Sequence, residues 1–306
     1  MSSLTNVTAI AAGWNHSCAI LTDSTVKCWG SNSSGALGNG TYTVSNVPVS
    51  VSNLTSVTAI AAGTEYTCAL LADKTVKCWG NNSFSQLGNG TYPNSNVPVS
   101  VSSLTNVTAI AAGWNHSCAI LTDSTVKCWG SNSYGQLGNG TNTNSNVPVS
   151  VSNLTNVTAI DLGPNHSCAI LADSTVKCWG SNYSGELGNG KNGYSTDSNV
   201  PVSVSNLTNV TAIASGLNHS CAILADSTVK CWGSNVYDQL GNGTHTDSNV
   251  PVSVSNLTNV TAIASGANYT CSLLTDSTVK CWGGNDRGQL GNGTNTSSNV
   301  PVVVSL

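Results

Sequence analysis

IAAGWNHSCAILTDSTVKCWGSNSSGALGNGT, residues 10–41, is written six times in this chain with few changes. The block recurs from Ile60, Ile110, Ile160, Ile213 and Ile263, a period of about fifty residues. Self-similarity of that length marks an array in which no single unit buries its own apolar face. Within the first copy, residues 7–12 alternate up to Gly13 and predict a short strand. Residues 16–21 and 26–30 predict two more, flanking the turn Thr22-Asp23-Ser24. Residues 31–41 read as a Gly/Asn/Ser loop around Leu37, and residues 47–51 as a last strand whose Pro48 suits an edge. Four strands per repeat with turn signals and no helical period predict an all-β, six-bladed β-propeller, one four-stranded antiparallel blade per repeat. A β-solenoid is the alternative, but it favours shorter repeats and needs capping ends.

The cysteines sharpen the hairpin. Each repeat carries one C-x9-C pair: Cys18/Cys28, Cys68/Cys78, Cys118/Cys128, Cys168/Cys178, Cys221/Cys231 and Cys271/Cys281. With Thr22-Asp23-Ser24 as a three-residue loop and Ser24 left-handed, Leu21 faces Thr25 and Cys18 lands opposite Cys28. That makes a non-hydrogen-bonded pair with Cα atoms about 4.5 Å apart, within the roughly 4.4–6.8 Å a disulfide needs. A two-residue loop would set Cys28 against Ala19. The alternative is twelve reduced, buried thiols. Zinc fits worse, because the C-x2-C knuckle is missing and the neighbouring His16 becomes Tyr66 and Tyr269 in two repeats. Six disulfides imply an oxidising compartment, extracellular or periplasmic.

Composition bounds the rest. The repeat runs end to end, so we expect a single propeller domain over residues 1–306, with repeats at about 1–51, 52–101, 102–151, 152–204, 205–254 and 255–306. Charged residues are 7% of the chain, the net charge is −4, and Arg287 is the one arginine. Nucleic-acid binding needs clustered Lys and Arg, and no such cluster exists. No apolar run reaches the roughly 18–20 residues that span a bilayer. The opening MSSLTNVTAI lacks the charged and apolar regions of a secretory leader, so in a secreted protein that segment would already be gone.

The string AAG-x-N-H-S-C-A-I-L-x-D-S-x-V-K-C-W-G-S-N-x-x-G-x-L-G-N-G resembles the regulator of chromosome condensation repeat over all six units. The matching residues in the first unit are Gly13, His16, Trp29, Gly30, Asn32, Gly35, Leu37, Gly38 and Gly40. WD and kelch propellers fit worse, since the Trp-Asp pair and the paired glycines are missing. The resemblance implies a propeller, usually seven-bladed; six repeats imply six blades or an array cut from a longer one. The hairpin departs from the family pattern, with Ser24 or Lys74 where Gly is usual. Family roles include nucleotide exchange with chromatin binding, light sensing, ubiquitin-ligase accessory functions and bacterial inhibition of β-lactamase. Disulfides and low basicity argue against the nuclear role. The repeated Trp29, Trp79, Trp129, Trp179, Trp232 and Trp282 read as packing residues and not as a light sensor. A bacterial extracellular binding propeller fits best.

Features written six times read as structure. His16, His116, His166 and His219 are expected to make structural hydrogen bonds at a strand start. Asp23, Asp73, Asp123, Asp173, Asp226 and Asp276 are expected to cap turns. Asn-x-Ser/Thr triplets follow from composition. With no nucleophile–base pair or phosphate loop outside the repeat, the expectation is no enzyme, no cofactor and no metal. A specific site must then sit where repeats differ: after the inner glycine, in the long loop, and after Asn-Gly. Tyr and Trp concentrate there and are favoured interface anchors. Repeat four differs most, with Asp161 for Ala, Pro164 where two repeats have Trp, and three extra residues around Lys191-Asn192-Gly193-Tyr194. The partner-binding candidates are Asp161, Tyr183, Glu186, Lys191 and Tyr194, together with Trp14 and Trp114. The expected function is a monomeric, non-catalytic extracellular scaffold for a protein partner, without nucleic-acid binding or membrane insertion. Two alternatives stand: a carbohydrate-binding propeller using the tryptophans and loop tyrosines, and a recently amplified or designed repeat with no evolved partner. Whether the last strand pairs with the first repeat or within its own is open.

Overall fold

The computed structural model describes residues 4–305. Its secondary structure is 24 strands in six four-stranded antiparallel sheets, an all-β six-bladed propeller. Blade 1 is β1 (Val7–Ala12), β2 (His16–Leu21), β3 (Val26–Gly30) and β4 (Ser45–Ser50). Blade 2 is β5 (Val57–Ala62), β6 (Tyr66–Leu71), β7 (Val76–Gly80) and β8 (Ser95–Ser100). Blade 3 is β9 (Val107–Ala112), β10 (His116–Leu121), β11 (Val126–Gly130) and β12 (Ser145–Ser150). Blade 4 is β13 (Val157–Leu162), β14 (His166–Leu171), β15 (Val176–Gly180) and β16 (Ser198–Ser203). Blade 5 is β17 (Val210–Ser215), β18 (His219–Leu224), β19 (Val229–Gly233) and β20 (Ser248–Ser253). Blade 6 is β21 (Val260–Ser265), β22 (Tyr269–Leu274), β23 (Val279–Gly283) and β24 (Ser298–Val303).

The first three strands of each blade start and stop where alternation and turn residues place them. The fourth begins earlier than residue 47: Ser45 pairs with Gly30, across an irregularity between Cys28 and Gly30. Each sheet is built from one repeat, and β24 pairs with β23. Among the described residues, then, the last strand pairs within its own repeat, the pairing that sequence left open.

The hairpin register is the expected one. Ile20 faces Val26, Ala19 faces Lys27 and Cys18 faces Cys28. Leu21 N–H donates to the Thr25 carbonyl at 2.9 Å, closing a loop in which Ser24 has φ 61°. The same register sets Cys68 against Cys78, Cys118 against Cys128, Cys168 against Cys178, Cys221 against Cys231 and Cys271 against Cys281. All six pairs are disulfides, and none of the twelve cysteines is free. Their Cα atoms are 4.0–4.1 Å apart, closer than sequence predicts.

The chain forms two compact units, one of residues 1–133 and 139–155, the other of residues 134–138 and 156–306. In the first unit, Cys18, Ile20, Val26, Cys28 and Leu37 of blade 1 pack on Val57, Ala69 and Trp79 of blade 2. Blade 2 meets Val107, Ala119 and Trp129 of blade 3 in the same way. The second unit repeats this between blades 4 and 5 and between blades 5 and 6. The core thus lies between blades, as a repeat that cannot bury its own face requires. Gly38 shows how close the approach is. Its φ is +64°, and a Cβ there would lie 2.7 Å from the Trp79 indole nitrogen.

Candidate functional site

Strand order decides where the variable residues go. In an antiparallel meander the β1–β2 and β3–β4 connections share one end of the sheet, and the β2–β3 turn lies at the other. All three variable zones fall on the first end: the residues after the inner glycine, the long loop, and the stretch after Asn-Gly. The near-constant Asp turns occupy the opposite end. There Asp23 Oδ1 accepts from the Thr25 hydroxyl at 2.7 Å and its amide at 3.0 Å. Those bonds hold the Asp23 carboxyl below its usual range. Asp73, Asp123, Asp173 and Asp226 are bonded in the same way.

The cysteines take no part in a surface site. Cys28, Cys78, Cys128, Cys178, Cys231 and Cys281 stand mid-way along the third strand of their blades, away from the loop end, and all are buried. Cys78, Cys178 and Cys231 each lie in an apolar core with a tryptophan of the following blade. Bridged in this way, they hold together the two central strands of each blade.

The histidines are structural. His16 Nε2 lies 2.8 Å from Thr67 Oγ1, His166 Nε2 3.0 Å from Ser220 Oγ, and His219 Nε2 2.8 Å from Thr270 Oγ1, each in the following blade. Burial lowers the pKa of His16 and His166 to about 4 and that of His219 to about 3, so all three are neutral at pH 7. Tyr66 replaces one of them and reaches the next blade by donating to the His116 carbonyl at 2.6 Å. Among the described residues, no group of three or more His, Cys, Asp or Glu is arranged to hold a metal ion.

The repeat-four candidates separate into three places. Tyr183 and Tyr194 come together, with ring centroids 4.5 Å apart at 56°. Tyr194 is 87% exposed. The inserted residues make this contact by folding back: Gly193 N–H donates to the Tyr183 carbonyl at 2.9 Å, and Thr196 Oγ1 donates to the Gly193 carbonyl at 2.9 Å. Lys191 is exposed on the same excursion, its backbone tied to Asn189 and Asn182. Glu186 belongs to this loop but is buried, its Oε2 accepting from Ser184 N–H at 2.9 Å. Burial pushes its carboxyl up to about 7. Asp161 stands on β13, where its Oδ2 accepts from Ser215 N–H of β17 at 2.6 Å. Burial raises it to about 6.

Trp14 and Trp114, a hundred residues apart, meet edge to face at 5.3 Å and 89°. Between their blades sits a residue that sequence placed in a variable zone without assigning it a role. Glu65 Oε2 accepts from Ser34 Oγ at 2.7 Å and Asn81 Nδ2 at 3.3 Å. It lines a small recess with His16, Ser34 and Thr64. Its signal in the sequence was the loss of Asn at that position in repeat two alone.

The RCC1-like domain model matches residues 1–207, and models of the regulator of chromosome condensation repeat match residues 227–273 and 277–306 and, separately, 210–239 and 260–289. The chain belongs to the regulator of chromosome condensation repeat family. Solved structures agree in fold. Yeast RCC1 (Prp20), solved with Kap60, superposes with TM-score 0.88 at 21% identity, over 98% of this chain and 75% of that one. Prp20p from Saccharomyces cerevisiae, described with its binding to Gsp1p and histones, gives 0.87 at 21% identity over 98% and 77%. Human WBSCR16 gives 0.87 at 24% identity over 99% and 83%. No curated protein sequence matches the chain. Membership of the regulator of chromosome condensation repeat family thus accounts for the repeated blade.

Proposed function

We propose that this chain is a non-catalytic scaffold of an extracellular or periplasmic setting that binds a protein partner through the variable loops at one end of its blades. The observation that carries the reading is the placement of Tyr183 and Tyr194, in tilted ring contact and solvent-facing on the repeat-four loop that also carries Lys191. Paired aromatics beside a cation are the kind of anchor that concentrates binding energy at protein interfaces. The variable residues share that end of the sheets, whereas the opposite end repeats almost without change. The same fold in yeast RCC1 (Prp20) is described with Kap60, Gsp1p and histones, which supports its use as a protein-docking platform. Six disulfides favour an oxidising compartment. The non-catalytic part of the reading is supported by what the repeated titratable residues do: His16, His166 and His219 are buried and bonded, and Asp23, Asp73, Asp123, Asp173 and Asp226 are bound in turns.

Exchanging residues 183–197 for their repeat-three counterparts, residues 133–144, tests the reading. A partner cross-linked from the extracellular fraction should be lost, with the circular dichroism spectrum unchanged. An Asp23→Ala variant at the opposite end should keep the partner. Retention after the loop exchange overturns the assignment.

The Trp14–Trp114 pair favours a second reading, carbohydrate binding, because an exposed indole offers a stacking surface for a sugar ring. Glycan-array binding that disappears in both Trp14→Ala and Trp114→Ala would select it over the first.

A further inference from the structure

Four of the six long loops carry a glutamine at one position of the repeat: Gln86, Gln136, Gln239 and Gln289. Glu186 takes the position in blade 4 and Ala36 takes it in blade 1. The glutamine is held at both ends of its carboxamide. Gln86 Oε1 accepts from Phe84 N–H at 2.9 Å. Its Nε2 donates to Asn81 Oδ1 at 3.2 Å and to Asn115 Oδ1 of the following blade at 3.3 Å. Gln136, Gln239 and Gln289 accept the same loop amide, from Tyr134, Tyr237 and Arg287 N–H at 2.8–3.0 Å. Glu186 also keeps that bond, from Ser184 N–H.

Blade 1 keeps the frame and lacks the side chain. The Ala36 carbonyl accepts from Trp79 Nε1–H at 2.8 Å, as the Gln86 carbonyl does from Trp129 at 2.9 Å, so the two backbones run alike. A methyl group ends where four carboxamides go on. Ser34 stands for Phe84, Ser31 for Asn81 and Glu65 for Asn115, and all three line the recess beside Ala36. Among the described residues, Ser34 N–H donates to no acceptor. Glu65 Oε2 is taken by Ser34 Oγ and Asn81 Nδ2, while its Oε1 is bonded to no described residue. Thr64 Oγ1, in the same recess, is buried and has no partner. Buried polar groups left unpaired are costly, and several in one recess mark a place built for a polar ligand.

We propose that the recess beside Ala36 binds a primary carboxamide, the side chain of a glutamine presented by a protein partner. The ligand's oxygen accepts from Ser34 N–H, and its two N–H groups meet Ser31 Oγ and the Glu65 carboxylate. That is the arrangement Gln86 makes within the chain. A serine at the place of Ser31 is suited to the contact, since Ser181 Oγ lies 3.4 Å from Glu186 Oε1 in blade 4. Two facing acceptors call for two donors, which a primary carboxamide supplies. A secondary amide, such as the acetamido group of an N-acetyl sugar, brings one. The inference rests on the protein-docking reading for the source of the glutamine, but its residues are separate from the loop of Tyr183 and Tyr194.

Titration of the oxidised full chain with the tripeptide Gly-Gln-Gly, followed by the amide chemical shifts of Ser34 and Glu65, provides the test. Saturable shifts are expected with Gly-Gln-Gly, and none with Gly-Met-Gly or N-acetylglucosamine. Glu65→Ala, at a half-buried position, removes one acceptor and should weaken binding by about three- to tenfold. Ala36→Gln combined with Glu65→Asn rebuilds the blade 2 set, so the chain's own carboxamide fills the recess. That variant should keep its circular dichroism spectrum and lose the tripeptide. Wild-type protein without saturable shifts, equal shifts with Gly-Met-Gly, a response to the sugar alone, or full binding by both variants overturns the proposal. Exchanging residues 183–197 leaves every group in this recess in place, so loss of the partner there and loss of the tripeptide here are separate results.

Discussion

At position 186 a carboxylate stands where repeats two, three, five and six carry Gln86, Gln136, Gln239 and Gln289. Those side chains accept from an amide of their own loop, as Gln86 Oε1 does from Phe84 N–H at 2.9 Å. Glu186 makes the same bond but must be buried to do so. Its folded pKa, raised to about 7 from an ordinary 4.5, means the folded state holds a proton that the unfolded state releases first. Stability from this group is therefore full below about pH 4.5 and falls as pH rises toward 7. Glu186→Gln should stabilise the protein by up to ~3 kcal/mol at pH 8 and by nearly nothing at pH 4, read from urea midpoints at the two pH values. His16, His166 and His219 act in the opposite sense. Their lowered pKa values make stability fall as pH drops from about 6.5 toward 4. Glu186 was legible as a departure from the repeat, but its burial was not. A loop glutamate in sequence carries no sign of whether its side chain turns inward. The partner of Asp161, an amide 54 residues away, was equally invisible.

Strand boundaries and hairpin register were legible because both are local. Period-two alternation fixes which side chains share a face, and a three-residue loop leaves one register that sets cysteine opposite cysteine. The left-handed Ser24, Lys74, Ser124, Ser174, Ser227 and Ser277 follow from that loop. The bond between blades is of another kind, because donor and acceptor are 43–46 residues apart. Trp129→Phe removes the indole donor to the Gln86 carbonyl at 2.9 Å and leaves that buried acceptor only the Ser117 hydroxyl at 3.3 Å. It should cost about 1 kcal/mol, measured by chemical denaturation at low protein concentration. The same change at Trp29, which donates no such bond, should cost less than about 0.5 kcal/mol. Equal losses at the two sites would mean that the indole bond contributes little.

Across the whole molecule, six copies of one sequence do not have six equal environments. Cys18, Cys68, Cys118, Cys168 and Cys221 are buried, whereas Cys271 is only half-buried. Under mild reductant the Cys271–Cys281 bridge should open first, and alkylation followed by peptide mass measurement should label that pair well ahead of the other five. Each bridge closes a short loop and stabilises by about 2.5–3 kcal/mol in the chain-entropy model, so its loss should loosen blade 6 before the rest. Read as a string, the sequence determined the blade, its turn, its disulfide and the number of repeats, since each depends on spacing within about fifty residues. It also marked which positions vary. Only the tertiary structure decided that these positions share one end of every sheet, that Trp14 meets Trp114 and Tyr183 meets Tyr194, and that Glu186 and Asp161 turn inward. The physical reason is that a repeat specifies its own hydrogen-bond ladder locally, while burial is conferred by whatever lies alongside, and identical repeats do not have identical neighbours.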